Sequence, residues 1–228
     1  CGTWTSEGDS AAQRRLQVED FFKLTVGIFG MGRIGNEVLR LLAPYGPKVL
    51  WHDVRQEVVG RKQEIADAYQ GLTKLYGHSS SVSYTTFEDL LGRSDVLTIH
   101  ADLNSSTRGV FNDAAFSAMR KGAILINAAR GAIVDYEALF RRLEDGSLRG
   151  AGLDVFPEEP IPDHTRERLS RLPNVLATPH VADDRRTTRN ASWSLVLYAL
   201  VNFLSGRSRP TNVVNADVFS AVRRRPGA

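Results

Sequence analysis

Three glycines and one acid supply the first chemistry that the residues suggest. Gly30, Gly32 and Gly35, within Val26-Gly27-Ile28-Phe29-Gly30-Met31-Gly32-Arg33-Ile34-Gly35, follow a hydrophobic strand pattern and open an apolar helix pattern. The spacing is G-x-G-x-x-G. In that setting the first glycine permits a tight turn, the second lets the backbone approach a pyrophosphate, and the third lets helix and strand lie close. Free N–H groups at the helix start then meet the phosphate charge. A second apolar run ends in Trp51-His52-Asp53, and Asp53 stands 18 residues past Gly35. That is near the spacing of an acid that accepts hydrogen bonds from an adenosine ribose. Its charge repels a 2′-phosphate, so the dinucleotide expected is NAD rather than NADP. Arg55, two residues on, counts against a strict preference.

Three later blocks each put an ionisable residue just past an apolar strand pattern, where an open parallel sheet binds its ligands. The first runs from Gly122 to Gly131 and holds Asn127, Ala129 and Arg130. The second runs from Gly150 to Pro160 with Asp154, Glu158 and Glu159, and the third from Pro173 to His180 with Thr178 and Pro179. Singly, each residue has an ordinary explanation. Arg130 could be a surface or salt-bridge residue, His180 a loop histidine, and Glu158 and Glu159 a solvated acidic pair. Their joint order and spacing argue for one site. His52, His78, His100 and His164 have no comparable context, and the sequence has no metal-ligand spacing.

The elements that must position these residues follow an alternating pattern. From Leu24 onward, strand-like and helix-like segments succeed one another, as in a doubly wound parallel α/β sheet of Rossmann type with helices on both faces. Strands are expected at 24–29, 48–52, 81–84, 96–100, 123–127, 152–155 and 175–177. Helices are expected at 34–42, 56–75, 87–91, 113–119, 136–143 and 187–204, with a short one around 11–22. In the last long helix Trp193, Leu197, Leu200, Val201 and Leu204 fall at helical spacing, a stripe suited to packing against a neighbouring domain or subunit.

The glycine turn, Asn127-Ala128-Ala129-Arg130-Gly131, Leu153-Asp154-Val155-Phe156 with Glu159-Pro160, and Thr178-Pro179-His180 together resemble the D-isomer-specific 2-hydroxyacid dehydrogenases. The resemblance runs over about residues 24–215 and includes the closing Pro210-Thr211-Asn212-Val213-Val214-Asn215. It implies NAD as cofactor and hydride transfer between the nicotinamide and a D-2-hydroxy acid or 2-oxo acid. By the same resemblance, His180 is the general acid in reduction and the base in oxidation. Glu159 bonds that imidazole and raises its pKa. Arg130 holds the substrate carboxylate and polarises the carbonyl with its planar fork of donors. Cofactor contacts are implied at Gly30, Gly32, Arg33, Ile34, Gly35, Asp53, Ala129 and Asp154, the last of these at the nicotinamide carboxamide. The chemistry is coherent: hydride arriving at a 2-oxo acid builds negative charge on oxygen, which calls for a proton donor and a cation. The implied partners are a small 2-oxo or 2-hydroxy acid and a second copy of the chain in a homodimer.

Several features depart from that family pattern. Its members begin with a substrate domain that closes over the nucleotide domain, and here the first nucleotide strand begins near Leu24. The expectation is therefore a lead-in or interdomain segment at 1–22, a dinucleotide-binding domain at 23–185, and a C-terminal helix and tail at 186–228 that would return to a missing substrate domain. An isolated chain of this kind would be poorly active, because one wall alone neither excludes water nor fixes substrate geometry. Ala101-Asp102 after His100 puts a negative charge near the cofactor groove, and Asp183-Asp184 after the Thr-Pro-His block puts two near a site for an anion, with Arg185 and Arg186 beside them. The segment 54–86 is longer than usual in the family and has no evident functional role.

Composition narrows the classes. A hydrophobic fraction of 42% excludes disorder for most of the chain, and the apolar runs are too short and charge-interrupted for a membrane span. Lys+Arg 29 against Asp+Glu 26 gives a net +3 with no basic stripe, so neither nucleic acid nor membrane is an expected partner. The run Arg223-Arg224-Arg225 reads as a solvated tail. The single cysteine, Cys1, permits no intrachain disulfide, and no signal-peptide pattern follows it, which fits a cytoplasmic protein. An alternative in another class is an NAD(H)-sensing corepressor-like binding protein of the same fold, in which the dinucleotide stabilises a dimer.

Overall fold

A computed structural model describes residues 20–182. Seven strands form one sheet: β1 (Thr25–Phe29), β2 (Lys48–His52), β3 (Val82–Tyr84), β4 (Val96–Ile99), β5 (Ile124–Asn127), β6 (Gly150–Leu153) and β7 (Val175–Ala177). Every pairing is parallel, and the order is β3-β2-β1-β4-β5-β6-β7. The order reverses between β1 and β4, and at such a switch point two loops leave in opposite directions and open a crevice at the carboxyl ends of the strands.

Alternation along the strands divides the core in two. Val26, Ile28, Val49 and Trp51 pack with Leu39, Ile65 and Tyr69 on one face. Phe29, Leu50, Leu97, Ile99 and Leu125 pack with residues such as Leu90, Phe116 and Leu139 on the other. Neighbouring residues of β1 and β2 thus point to opposite faces, as the period of two requires. The first face is covered by α1 (Arg33–Leu42) and α3 (Lys62–Leu75), which follows the single turn α2 (Gln56–Val59). The second is covered by α4 (Phe87–Arg93), α5 (Asp113–Ala118) and α6 (Tyr136–Glu144). These three helices start where a side chain caps them: Thr86, Asn112 and Asp135 accept from the backbone N–H of Asp89, Ala115 and Ala138. Each such cap satisfies one of the amides that a helix start leaves unpaired.

Three local expectations are corrected. The helical stretch at 56–75 breaks at Gly60-Arg61 into α2 and α3. The strand placed at 152–155 lies two residues earlier, at Gly150–Leu153, in register with Ile124–Asn127, and Ala151 N–H already bonds the Asn174 carbonyl. A further helix, α7 (Asp163–Ser170), buries none of its residues and so carried no apolar stripe to announce it. Of the helix expected around 11–22 only the end is described, where Phe21–Lys23 form a 3-10 turn. The helix at 187–204, Asp183 to Arg186 and Arg223 to Arg225 lie outside the described residues. The segment 54–86 supplies α3, whose Ile65, Tyr69 and Thr73 are buried, so its extra length serves as sheet cover. Among the described residues no helix is long and apolar enough to cross a membrane.

Candidate active site

The crevice is built from the strand ends outward. After β1 the chain turns at Gly30 with φ of +97°, and its N–H bonds the His52 carbonyl at 2.8 Å. A side chain there would place its Cβ 2.4 Å from the Ala101 nitrogen, so the turn and the loop after β4 can close together only over glycine. At Gly35 a Cβ would meet the Gly30 carbonyl oxygen at 2.2 Å, which seats α1 against the turn. At Gly32 a Cβ would meet the Arg55 guanidinium at 3.1 Å, the far end of a flexible side chain rather than backbone. Gly32 also begins α1 without any side-chain cap, which leaves first-turn amides available to an external anion. Backbone crowds Gly30 and Gly35, while only a movable side chain stands over Gly32, an arrangement suited to a pyrophosphate cradle.

Beside this turn lies a cavity of about 470 Å³ lined by Ile34, His100, Ala101, Asp102, Leu103, Ala128, Ala129 and Arg130. It spans the switch point from the start of α1 to the loop after β5. His100 is half-buried here, and burial pushes its pKa down to about 4, so the imidazole is neutral at physiological pH. It lies 2.9 Å from the Thr98 hydroxyl. Among the described residues no group of His, Cys, Asp and Glu could hold a metal ion.

Asp53 is 2% exposed, and its carboxylate is already fully engaged. Oδ2 accepts from Met31 N–H at 2.8 Å and from Arg55 Nη2 at 2.8 Å. Oδ1 accepts from Arg55 N–H at 2.9 Å and from Arg55 Nε at 3.0 Å. Burial would raise this carboxyl, but the Arg55 side chain and the two backbone N–H groups outweigh it and hold the pKa below the usual range. Four donors fill the four lone-pair positions of a carboxylate. Asp53 therefore ties the glycine turn to the end of β2, and Arg55 covers it. The sequence placed Asp53 at the ribose and could not reveal this cover.

The ends of β5, β6 and β7 are stitched to one another. Asp154 N–H bonds the Asn127 carbonyl at 3.0 Å, and His180 N–H bonds the Asp154 carbonyl at 2.8 Å. Thr178 donates its hydroxyl to Asp154 Oδ1 at 2.5 Å. Asn127, fully buried, accepts from Ala129 N–H at 3.1 Å and donates to the Arg130 carbonyl at 3.2 Å, which shapes the turn carrying Arg130. These supporting roles of Asn127 and Thr178 were not foreseen, although an Asn just past a strand is a turn former.

His180 and Glu159 meet directly: Nδ1 lies 2.6 Å from Glu159 Oε2, while Oε1 accepts from Phe156 N–H at 2.8 Å. The backbone of His180 is left-handed, with φ of +54°, and no other non-glycine residue among those described has positive φ. The hydrogen bond to Glu159 raises the His180 pKa, partial burial opposes it, the Glu159 and Asp154 charges add to it, and Arg130 opposes it. Arg130 thus lies within electrostatic reach of the ring. Glu159 is lowered in turn, chiefly by His180. A second cavity of about 300 Å³ lies against Glu159 and His180, lined by Phe156, Pro160, Ile161, Arg166 and Pro179. No motif in the sequence pointed to Arg166.

A protonated imidazole held by a carboxylate, with a guanidinium nearby, can deliver a proton to an oxygen gaining negative charge. Replacing Glu159 by Gln removes the main cause of the raised His180 pKa. In the hydride transfer that the sequence resemblance implies, reduction would need protonated His180 and be lost as pH rises through its pKa, so in Glu159→Gln that loss would set in at lower pH. Oxidation, which needs the neutral ring, persists to lower pH. Parallel pH profiles of kcat/KM in both directions check this; coincident wild-type and variant profiles would contradict it.

Comparison with known proteins places the domain. Residues 2–182 match the family described as D-isomer specific 2-hydroxyacid dehydrogenase, NAD binding domain. The chain is 37% identical over 204 residues to a glyoxylate reductase of Aeropyrum pernix, covering 89% of this chain and 54% of that protein. A D-lactate dehydrogenase with NAD+ from Lactobacillus jensenii superposes with a TM-score of 0.69 at 29% identity, covering 86% of this chain and 57% of that one. The NAD complexed form of a D-isomer specific 2-hydroxyacid dehydrogenase from Lactobacillus delbrueckii ssp. bulgaricus gives 0.72 at 28% identity, covering 93% and 60%. The chain spans little more than half the length of these relatives.

Proposed function

The chain belongs to the D-isomer specific 2-hydroxyacid dehydrogenases, of which it carries the NAD-binding domain, and from that premise we propose that it supplies the cofactor side of an oxidoreductase interconverting a 2-oxo acid and a D-2-hydroxy acid. The observation that carries this reading is the contact of His180 Nδ1 with Glu159 Oε2 at 2.6 Å, at the same sheet edge as Arg130. When bound, NAD(H) supplies the hydride. The residues do the rest.

Gly30, Gly32, Arg33, Ile34 and Gly35 hold the pyrophosphate at the start of α1, and Ala129 and Asp154 line the path toward the nicotinamide. Arg130 binds the substrate carboxylate and polarises its carbonyl. Its guanidinium bonds only the carbonyl of Ala129, at 2.6 Å through Nη1, among the described residues, which leaves donors for an anion. His180 gives its proton to the substrate oxygen in reduction and takes it back in oxidation. Glu159 keeps the ring oriented and stabilises its charged form. Relatives named as glyoxylate reductase and D-lactate dehydrogenase favour this over the corepressor-like alternative, and they point to a short 2-oxo acid as substrate. The homodimer, the domain limits at 23 and 185, and a cytoplasmic location belong to the same proposal. The first two rest on family resemblance and the last on the single cysteine.

The test is reduction of a panel of short 2-oxo acids, glyoxylate and pyruvate included, by this domain joined to a substrate domain, followed by loss of NADH absorbance and chiral analysis of the product. NADH-dependent reduction to a D product is expected. An L product, or turnover that persists in a variant lacking both Arg130 and His180, would overturn the assignment.

A further inference from the structure

The Asp53–Arg55 pair bears on which dinucleotide the groove accepts, an inference that rests on the dinucleotide-binding reading above. An acid at the end of the second strand ordinarily selects NAD in two ways: it bonds the ribose hydroxyls and repels a 2′-phosphate. Here it is placed to do neither. Its four acceptor positions are filled by Met31 N–H, Arg55 N–H and two donors of the Arg55 side chain, and it is buried beneath that side chain. Its charge is matched by the guanidinium 2.8 Å away.

Arg55 is docked on Asp53 by one edge only. Nε and Nη2 face the carboxylate, while Nη1 lies 3.9 Å from Asp102 Oδ2, beyond hydrogen-bond range. The guanidinium has five N–H groups, and two are used on Asp53. Its Nη1–Nη2 edge lies over Gly32, where a Cβ would meet Nη2 at 3.1 Å and Nη1 at 3.9 Å, on a side chain 38% exposed. That edge is a second planar fork of the kind that binds phosphate bidentately. Asp102 is 86% exposed, so its pull on Nη1 is screened and its side chain is free to turn into water.

We infer that Arg55, not Asp53, meets the 2′ position of the adenosine ribose, and that the domain binds 2′-phosphorylated and unphosphorylated dinucleotides with comparable affinity. Asp53 acts as a positioning residue that aims the guanidinium. Asp102 works against the phosphate from the far side of Nη1.

Titration of the chain with NADH and NADPH, read by cofactor fluorescence, tests this without any turnover. In the wild type the NADPH dissociation constant is expected within about tenfold of that for NADH. Arg55→Ala should weaken NADPH by at least about tenfold, the loss expected for a charge-assisted contact, and change NADH by less than about threefold. Asp102→Asn should tighten NADPH more than NADH. Arg55→Gln, which keeps a donor for Asp53 without the charge, serves if Arg55→Ala is unstable. NADH binding without measurable NADPH binding, or equal weakening of both by the Arg55 variants, would overturn the inference while leaving the dinucleotide site intact. Binding of neither dinucleotide to the wild type would overturn both readings.

Discussion

On the proposed function, replacing His180 by Ala in a protein that also carries a substrate domain should lower kcat/KM for 2-oxo-acid reduction by about 10²- to 10⁴-fold, the usual contribution of a positioned general acid. NADH affinity should stay within about threefold, because the glycine turn, the cavity beside Ala128 and Ala129, and the Arg55 cover lie on other strand ends. The asymmetry is the point of the experiment. The ring touches Glu159, and its backbone N–H holds the Asp154 carbonyl, a bond that the alanine keeps. Steady-state kinetics and a parallel NADH titration separate the two quantities. Equal loss of turnover and of cofactor binding would mean that His180 supports the groove rather than the proton transfer.

A second large effect is expected from Gly131→Ala. A Cβ on Gly131 would lie 2.0 Å from the Phe156 carbonyl carbon and 2.1 Å from its oxygen, both backbone atoms that cannot rotate away. The loop that would have to retreat carries Glu159, whose Oε1 is bonded by Phe156 N–H, and through Glu159 it orients His180. The residue before Gly131 is Arg130. One methyl group therefore drives the cation and the proton donor apart. A displacement of this order costs about 10²-fold in rate when it misplaces reacting groups, and overpacking a tight contact costs about 1–3 kcal/mol of stability. The variant should bind NADH, lose kcat/KM by about two orders of magnitude and unfold at lower denaturant. Unchanged kinetics would show that the approach of the two loops is irrelevant to catalysis.

These two positions also show what the sequence could and could not reveal. The glycine turn was legible because its requirements are local: a strand, a tight turn and a helix start, all within ten residues. The strands of the sheet were legible for a similar reason, since β1, β2, β4 and β5 each carry a short, mostly apolar stretch with buried residues. Gly131 looked like one more loop glycine, because its need arises from Phe156, which is distant in sequence. Asp53 was found by spacing, yet its environment was misjudged. Whether an Arg two residues on turns outward or folds back over the carboxylate depends on the turn after β2, and residue types do not encode that geometry. Helix α7 was missed because a helix with no buried residue leaves no periodic signal. His180, Glu159 and Arg130 were assembled from family resemblance, and the structure adds the knit of Asn127, Asp154 and Thr178 that keeps them together.

The central claim is that the crevice at the β1–β4 switch point is a working NAD(H) site. Titration of NADH into the 228-residue chain tests it most directly. Saturable one-to-one binding in the micromolar range is expected, competed by NAD+ and by ADP-ribose. Absence of binding at millimolar NADH by a chain whose circular dichroism shows an intact α/β fold would contradict it.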